Sequence, residues 1–430
     1  MAALSRALDA HTIVIGAGVI GAACAFRLAQ TGREVLLLNA DPPEGAASFG
    51  NAGHIATEQL FPLASGEVLR KSWSYLRDPD SPLRLRMGHL LPLMPWLARF
   101  VWAARKPAYA RGVEAILALQ RSALADMADL LRDAGLADLL HQRGHLEVWE
   151  TEAGGNTAIT HAERLKAFGV ESQQWSADAV RAQVPLLTPG VQGAVHYLGS
   201  GHVDDPWAVC QGLREAMSRS RGQMYQGRAV RLLADPQQGA TVVLEDGSQL
   251  RSEQLLVCAG AWSKPLAASL GYRVPLDTER GYHITVGGPS ASQTDGPPTL
   301  LQPVASTERK VIMTSMSMGL RMTGTVELGG LHLLPDPRRY QLLRRQLQAL
   351  LPGVDTTDMR SWMGFRPSLP DHLPVMGVAP RHNNVFFAFG HQHLGLTLAG
   401  VTAAVMAELM QVCSSPIDLA PYAVDRFRFA

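Results

Sequence analysis

A glycine-spaced turn near the N-terminus constrains this chain more than any other feature. Residues 11–21 read HTIVIGAGVIG, an apolar strand that runs into G-x-G-x-x-G and on into a helical pattern. Gly16 permits the tight turn, Gly18 lets a pyrophosphate approach the backbone, and Gly21 lets helix and strand pack closely. The free N–H groups at the helix start, around Val19 and Ile20, face the anion. Ala22, Ala23, Ala25, Leu28 and Ala29 continue at helical spacing, Gly32 ends the helix, and residues 34–38 read as a second buried strand. This order predicts a Rossmann-like unit holding a dinucleotide. Asn39 and Ala40 stand where an acidic side chain usually takes the ribose hydroxyls. An amide both donates and accepts, so Asn39 is the expected ribose ligand, with Asp41 as the alternative.

At 430 residues the chain exceeds what one hydrophobic core usually serves, which predicts two domains. Charge is balanced, 39 Lys and Arg against 38 Asp and Glu, which argues against a nucleic-acid partner. Cys24, Cys210, Cys258 and Cys413 lie far apart without a C-x-x-C, so no metal site is expected. Residues 1–10 contain no apolar segment of a signal peptide, and no stretch approaches ~20 uninterrupted apolar residues. The expected location is therefore cytoplasmic. Residues 90–102, LLPLMPWLARFVW, precede Arg105 and Lys106 and suit a helix lying on a membrane surface. Two prolines and low charge favour packing against the protein's own core, which leaves peripheral contact at the inner face of the cell membrane as the alternative.

The α/β pattern returns in pieces. A helix is predicted from Pro206, a hairpin at Asp246-Gly247, a buried strand at 254–258, and a strand at 384–389 leading into a helix over 397–410. Between them, residues 276–350 alternate in strand fashion before a helix over 338–351. The simplest organisation is a nucleotide domain made of 10–58, 200–275 and 360–430, interrupted by a substrate domain made of 59–199 and 276–359.

Four further segments follow the fingerprint in order: SFGNAG at 48–53, LVCAGAWS at 256–263, WMGFRPSLPDHLPVMG at 362–377 and FGHQHLGLTLA at 389–399. Together with the N-terminal turn, they make the chain resemble the FAD-dependent D-amino-acid oxidase superfamily, most closely its D-amino-acid dehydrogenase branch. The resemblance spans essentially the whole chain. It implies a Rossmann-like FAD-binding domain of the glutathione-reductase type, interrupted by an α+β substrate domain with a mainly antiparallel sheet, with the flavin ring at their boundary. It further implies FAD contacts from Ser48, Asn51, Ala52, Gly53 and His54, from Val230 beside the adenine, and from Ala259, Gly260, Trp262 and Gly364. Gly390, His391, Leu394, Gly395, Leu396 and Thr397 complete that set, at a helix start suited to the negative charge of reduced flavin.

For substrate, the resemblance implies that Arg366 of the G-x-R-P motif grips a carboxylate through its planar fork. Tyr282 and His283 match the family strand that reaches over the ring. His54 and His393 point into the cavity in the same reading, whereas Arg321 is structural. The implied reaction is hydride transfer from Cα of a D-amino acid or D-imino acid to flavin, with electrons passed to a quinone or partner flavoprotein. The histidines of 390–393 suggest D-proline or 4-hydroxy-D-proline. The alternatives are a nicotinamide-dependent dehydrogenase, an electron-transfer subunit without substrate chemistry, and a glycine- or sarcosine-type amine oxidase.

Overall fold

The computed structural model describes residues 9–40, 43–78, 80–235, 237–287, 299–412 and 414–427. Residues 1–8, Asp41 and Cys413, all singled out in the sequence, lie outside these. Two large sheets organise the chain. The first is built on the fingerprint strand Ala10–Ile15, which pairs in parallel with Val35–Asn39 on one side and Gln249–Val257 on the other. Gly222–Gln226 extends it beyond Val35–Asn39, and His382–Phe389 extends it beyond the C-terminal half of Gln249–Val257. All five run parallel, and apolar side chains fill both faces, as a sheet covered on both sides requires. The predicted hairpin forms at Gly247, whose φ of +84° suits the turn, joining Gly239–Leu244 to Gln249–Val257.

Small residues let the helices close on this sheet. Val19–Gln30, with its buried alanines, packs against Pro206–Arg219 and Ala399–Val412. The Pro206–Arg219 helix starts where the sequence predicts because Asp205 caps it, its carboxylate accepting from the N–H groups of Trp207 and Ala208, and Pro206 occupies the first turn.

The second sheet has nine strands. Its order runs Arg360–Ser368, Asp277–Val286, Gly319–Leu328, Val311–Met316, Val304–Ser306, His145–Trp149, Gly193–Tyr197 and Ser172–Ser176, with Leu83–Leu85 pairing alongside Gly319–Leu328. Pairing is antiparallel except at Leu83–Leu85 and between His145–Trp149 and Val304–Ser306. One segment sits differently from the sequence expectation: Arg360–Ser368, assigned there to the nucleotide domain, is the edge strand of this second sheet. Its apolar and glycine pattern reads equally well as either kind of strand, and only its pairing with Asp277–Val286 decides.

Before residue 140 the chain is mainly helical, as Gly66–Arg77, Leu90–Ala103, Lys106–Gln120 and Ala123–Ala134. In Leu90–Ala103, Leu93 and Trp96 are buried, and the Trp96 indole donates to the Ser368 carbonyl at 3.2 Å. Leu91, Met94, Val101 and Trp102 on the same helix are exposed. Among the described residues, no helix is long and apolar enough to cross a membrane.

Candidate active site

The two sheets enclose a cavity of about 1600 Å3 that reaches from Asn39 at one end to Arg366 and His393 at the other. Its nucleotide end is formed by the fingerprint. Gly16 has a φ of +101°, and a Cβ there would lie 2.6 Å from the Cys258 carbonyl oxygen, so only glycine fits against the neighbouring strand. A Cβ on Gly21 would sit 1.8 Å from the Gly16 carbonyl oxygen, which makes Gly21 a packing residue rather than a contact; it does not line the cavity. Gly18 differs: among the described residues, an added Cβ meets only Ser48 Oγ, at 3.3 Å. Ser48 Oγ also accepts the Val19 N–H at 3.0 Å, so hydroxyl and helix start converge where an anion would lie. Ile20, Asn39, Ala40, Val230, Ala259, Gly260 and Trp262 line the same end. Asn39 Nδ2 donates to Gln226 Oε1 at 3.2 Å. Val230 is reached through a register shift between Ala229 and Arg231. An extended cavity with an anion-binding turn at one end has the shape and donors of an FAD site.

Asn51, Ala52 and His54 also line the cavity, as do Gly390, His391, Gly395 and Leu396. Gly53, Leu394 and Thr397 are set back from the wall. Gly53 takes a left-handed turn, its N–H donating to Asn51 Oδ1 at 2.8 Å, and Thr397 Oγ1 accepts from the Ala56 N–H at 3.0 Å. Residues 392–394 form a short 3-10 turn, and the helix predicted from residue 397 begins at Ala399. His391 hydrogen-bonds Thr402 Oγ1 at 3.1 Å, and burial lowers its pKa to about 3. Arg321, expected to be structural, donates to the carbonyls of Phe49 (3.3 Å) and Asn51 (2.6 Å) and so ties the second sheet to this loop.

Trp362 was not among the sequence candidates. Its indole fills the gap between Gly50 and Gly364, where added Cβ atoms would each lie 2.0 Å from the ring, and Nε1 donates to the Glu44 carbonyl at 2.8 Å. The two glycines are its signal in the sequence, but only tertiary pairing brings them together.

Arg366 extends over Gly281 of the adjacent strand, where a Cβ would stand 2.4 Å from its guanidinium. Among the described residues, that guanidinium makes one long hydrogen bond, 3.5 Å to the Thr325 carbonyl. Burial lowers its pKa, and Glu279, its partner in the strand register, partly offsets this. Glu279 is buried and accepts from Ser368 Oγ at 2.7 Å; burial raises its carboxyl. His393 faces the same space, its pKa lowered to about 4 by burial and by Arg366.

Tyr282 and His283 do not reach the cavity. Strand alternation sends Tyr282 to the far face, where its hydroxyl donates to Glu327 Oε1 at 3.0 Å, accepts from the Asp336 N–H at 3.1 Å, and forms a buried cluster with Arg280. His283 lies on the near face but is covered: its ring stacks on Trp362 and donates to the Gly50 carbonyl at 3.0 Å. Burial lowers its pKa to about 3. Both residues support the wall rather than form it. His54 does line the cavity, and it meets Glu58 and His145, which were not candidates because 86 residues of intervening sequence separate the latter two.

The family described as FAD dependent oxidoreductase, DAO, matches residues 11–409. The chain is 30% identical over 427 residues to the D-amino-acid oxidase of Bradyrhizobium diazoefficiens, covering 97% of this chain and 99% of that protein. It is 30% identical over 431 residues to the D-amino acid dehydrogenase of Paramagnetospirillum magneticum, covering 96% and 98%. Glycine oxidase from Geobacillus kaustophilus shares the fold, with a TM-score of 0.72 at 21% identity over 97% of this chain and 98% of that one. Fingerprint, cavity and near full-length matches agree: the chain belongs to the FAD-dependent oxidoreductase family that includes the D-amino-acid oxidases and dehydrogenases, and it is an enzyme whose cofactor is FAD.

Proposed function

We propose that the protein oxidises the Cα–N bond of a D-amino acid or cyclic D-imino acid, with D-proline and 4-hydroxy-D-proline as the leading substrates. One observation carries this reading: Arg366 presents a nearly unpaired guanidinium to the cavity. Leaving such a group unsatisfied is costly, and a carboxylate satisfies it with two parallel charge-assisted hydrogen bonds. Glu279 beside Arg366 accepts from Ser368 Oγ at 2.7 Å, so its hydrogen bond goes to that hydroxyl rather than to the arginine. Bound FAD supplies the two-electron acceptor for the Cα hydride. Arg366 holds the carboxylate and thereby fixes which face of Cα is presented, while apolar residues such as Leu97, Phe100 and Phe365 exclude water. The neutral His393 ring sits beside the arginine, where it offers a hydrogen bond to a ring hydroxyl or imino nitrogen without adding charge. The substrate nitrogen enters uncharged, loses hydride from the adjacent carbon, and leaves as an imine with release of one proton. Water then converts an acyclic imine to a 2-oxo acid and ammonia, whereas a pyrroline remains cyclic.

The exposed residues Leu91, Met94, Val101 and Trp102, on a helix from which Trp96, Leu97, Phe100 and Val101 line the cavity, support peripheral membrane contact and a quinone acceptor. Anaerobic mixing of the FAD-loaded enzyme with a panel of D-amino acids, D-proline, hydroxyproline, glycine and sarcosine tests the substrate. Bleaching of the flavin by the D-imino acids is expected. Bleaching by glycine or sarcosine alone would reassign it as an amine oxidase, and no bleaching by any would point to an electron-transfer subunit.

A further inference from the structure

We propose that His54, Glu58 and His145 form a binding site for a divalent metal ion of the zinc class, on the wall of the cavity. His54 Nε2 and His145 Nδ1 each lie 3.7 Å from Glu58 Oε1, and all three ligand atoms fall within 4.8 Å of one another. Bonds of about 2.0–2.2 Å at tetrahedral angles separate donors by about 3.3–3.6 Å, so small side-chain shifts close the triad on one ion. Two imidazoles and one carboxylate is a donor set used by zinc and other divalent first-row ions.

The second observation is a lack of partners. The three side chains are 7%, 4% and 5% exposed, yet among the described residues His54 Nε2 and both ring nitrogens of His145 have no hydrogen-bond partner. Buried polar atoms left this way are rare, and each asks for an occupant. Glu58 is prepared for one: Oε2 accepts from Ser200 Oγ at 2.5 Å, which fixes the carboxylate and leaves Oε1 directed at the two rings. Tyr197 stacks on His145 at 5.6 Å between centroids and holds its plane. Three protein ligands leave a fourth position, and since all three residues line the cavity, that position opens toward a ligand oxygen or water.

The site is tested on the FAD-loaded full-length protein, without a histidine tag, incubated with Zn2+ or Co2+ and desalted. About one metal equivalent per chain is expected, with Co2+ giving tetrahedral ligand-field bands at wavelengths beyond the flavin absorption. Glu58→Gln and His145→Gln should each weaken binding by more than about a hundredfold, beyond the 10–100-fold typical of outer-shell partners, while FAD content and thermal transition are retained. Wild-type protein that keeps less than about a tenth of an equivalent, or Co2+ bands identical in the variants, overturns the proposal. If one variant does not fold, the other decides, and the wild-type stoichiometry and spectrum decide without either.

Discussion

The parallel sheet and the antiparallel sheet contribute opposite kinds of wall to the same cavity. The parallel sheet delivers backbone: its turn at residues 16–21 and its strand end at 258–260 offer N–H groups and close approach, with few side chains involved. The antiparallel sheet delivers side chains, Arg366 and Glu279 among them, supported by a buried polar layer of Arg280, Tyr282 and Glu327 on its other face. Backbone sites depend on what is absent, a Cβ, and side-chain sites depend on which face a residue takes. The two fail in different ways when mutated.

The largest contrast lies within the fingerprint. Gly21→Val should abolish folding, since its Cβ would overlap the Gly16 carbonyl, whereas Gly18→Val should leave a folded protein with little FAD. Circular dichroism and flavin absorbance of the two variants separate these outcomes, and full flavin in Gly18→Val would break the backbone half of the comparison. On the other sheet, Arg366→Lys keeps the charge and loses the fork, so KM should rise about 10- to 100-fold with FAD still bound. Tyr282→Phe is the matched control: it should leave KM unchanged and reduce stability by about 1–3 kcal/mol, because the Glu327 carboxylate and the Asp336 N–H each lose a partner. A changed KM with unchanged stability would return Tyr282 to the cavity.

Acid should weaken both regions alike. His391 packs beside the parallel sheet and His283 in the antiparallel one, each with its pKa lowered by burial to about 3. In the unfolded chain such rings take up a proton near pH 6.5, so between that pH and 3 the unfolded state binds more protons. Their contribution is therefore present in full above pH 6.5 and is lost as pH falls, by about 2 kcal/mol per ring between pH 6.5 and 5. Denaturant midpoints at pH 7 and pH 5 measure it; equal midpoints would contradict the burial of both rings. The smallest effect is expected at Asn39→Ala, which removes hydrogen bonds but no space. FAD affinity should weaken about fivefold, in line with about 1 kcal/mol, as read by flavin titration of the apoprotein.

The same contrast explains what could be read from the sequence. Glycine spacing and strand periodicity are local, so residues 10–39, the helix from Pro206 and the Asp246-Gly247 hairpin were legible directly. Asp277–Val286 is buried along nearly its whole length on both faces, and hydrophobicity therefore does not say which face meets the cavity. Tyr282 was placed over the ring from a family likeness and turns out to face Glu327. Trp362 and the His54, Glu58 and His145 cluster depend on contacts between distant segments. No local period encodes them.

Trp362, Gly364 and Arg366 alternate onto one face of a strand that stays in unbroken register with Asp277–Val286. The indole that braces the Gly50 loop and the guanidinium proposed to take a carboxylate are thus four residues apart on one stiff rod, about 13 Å at 3.3 Å per residue. That rod works as a ruler. Any ligand held by its carboxylate is registered at the same mark whatever its side chain, so selectivity among such ligands falls to the remaining walls, and altering those walls can exchange substrates without disturbing the alignment on which the chemistry depends.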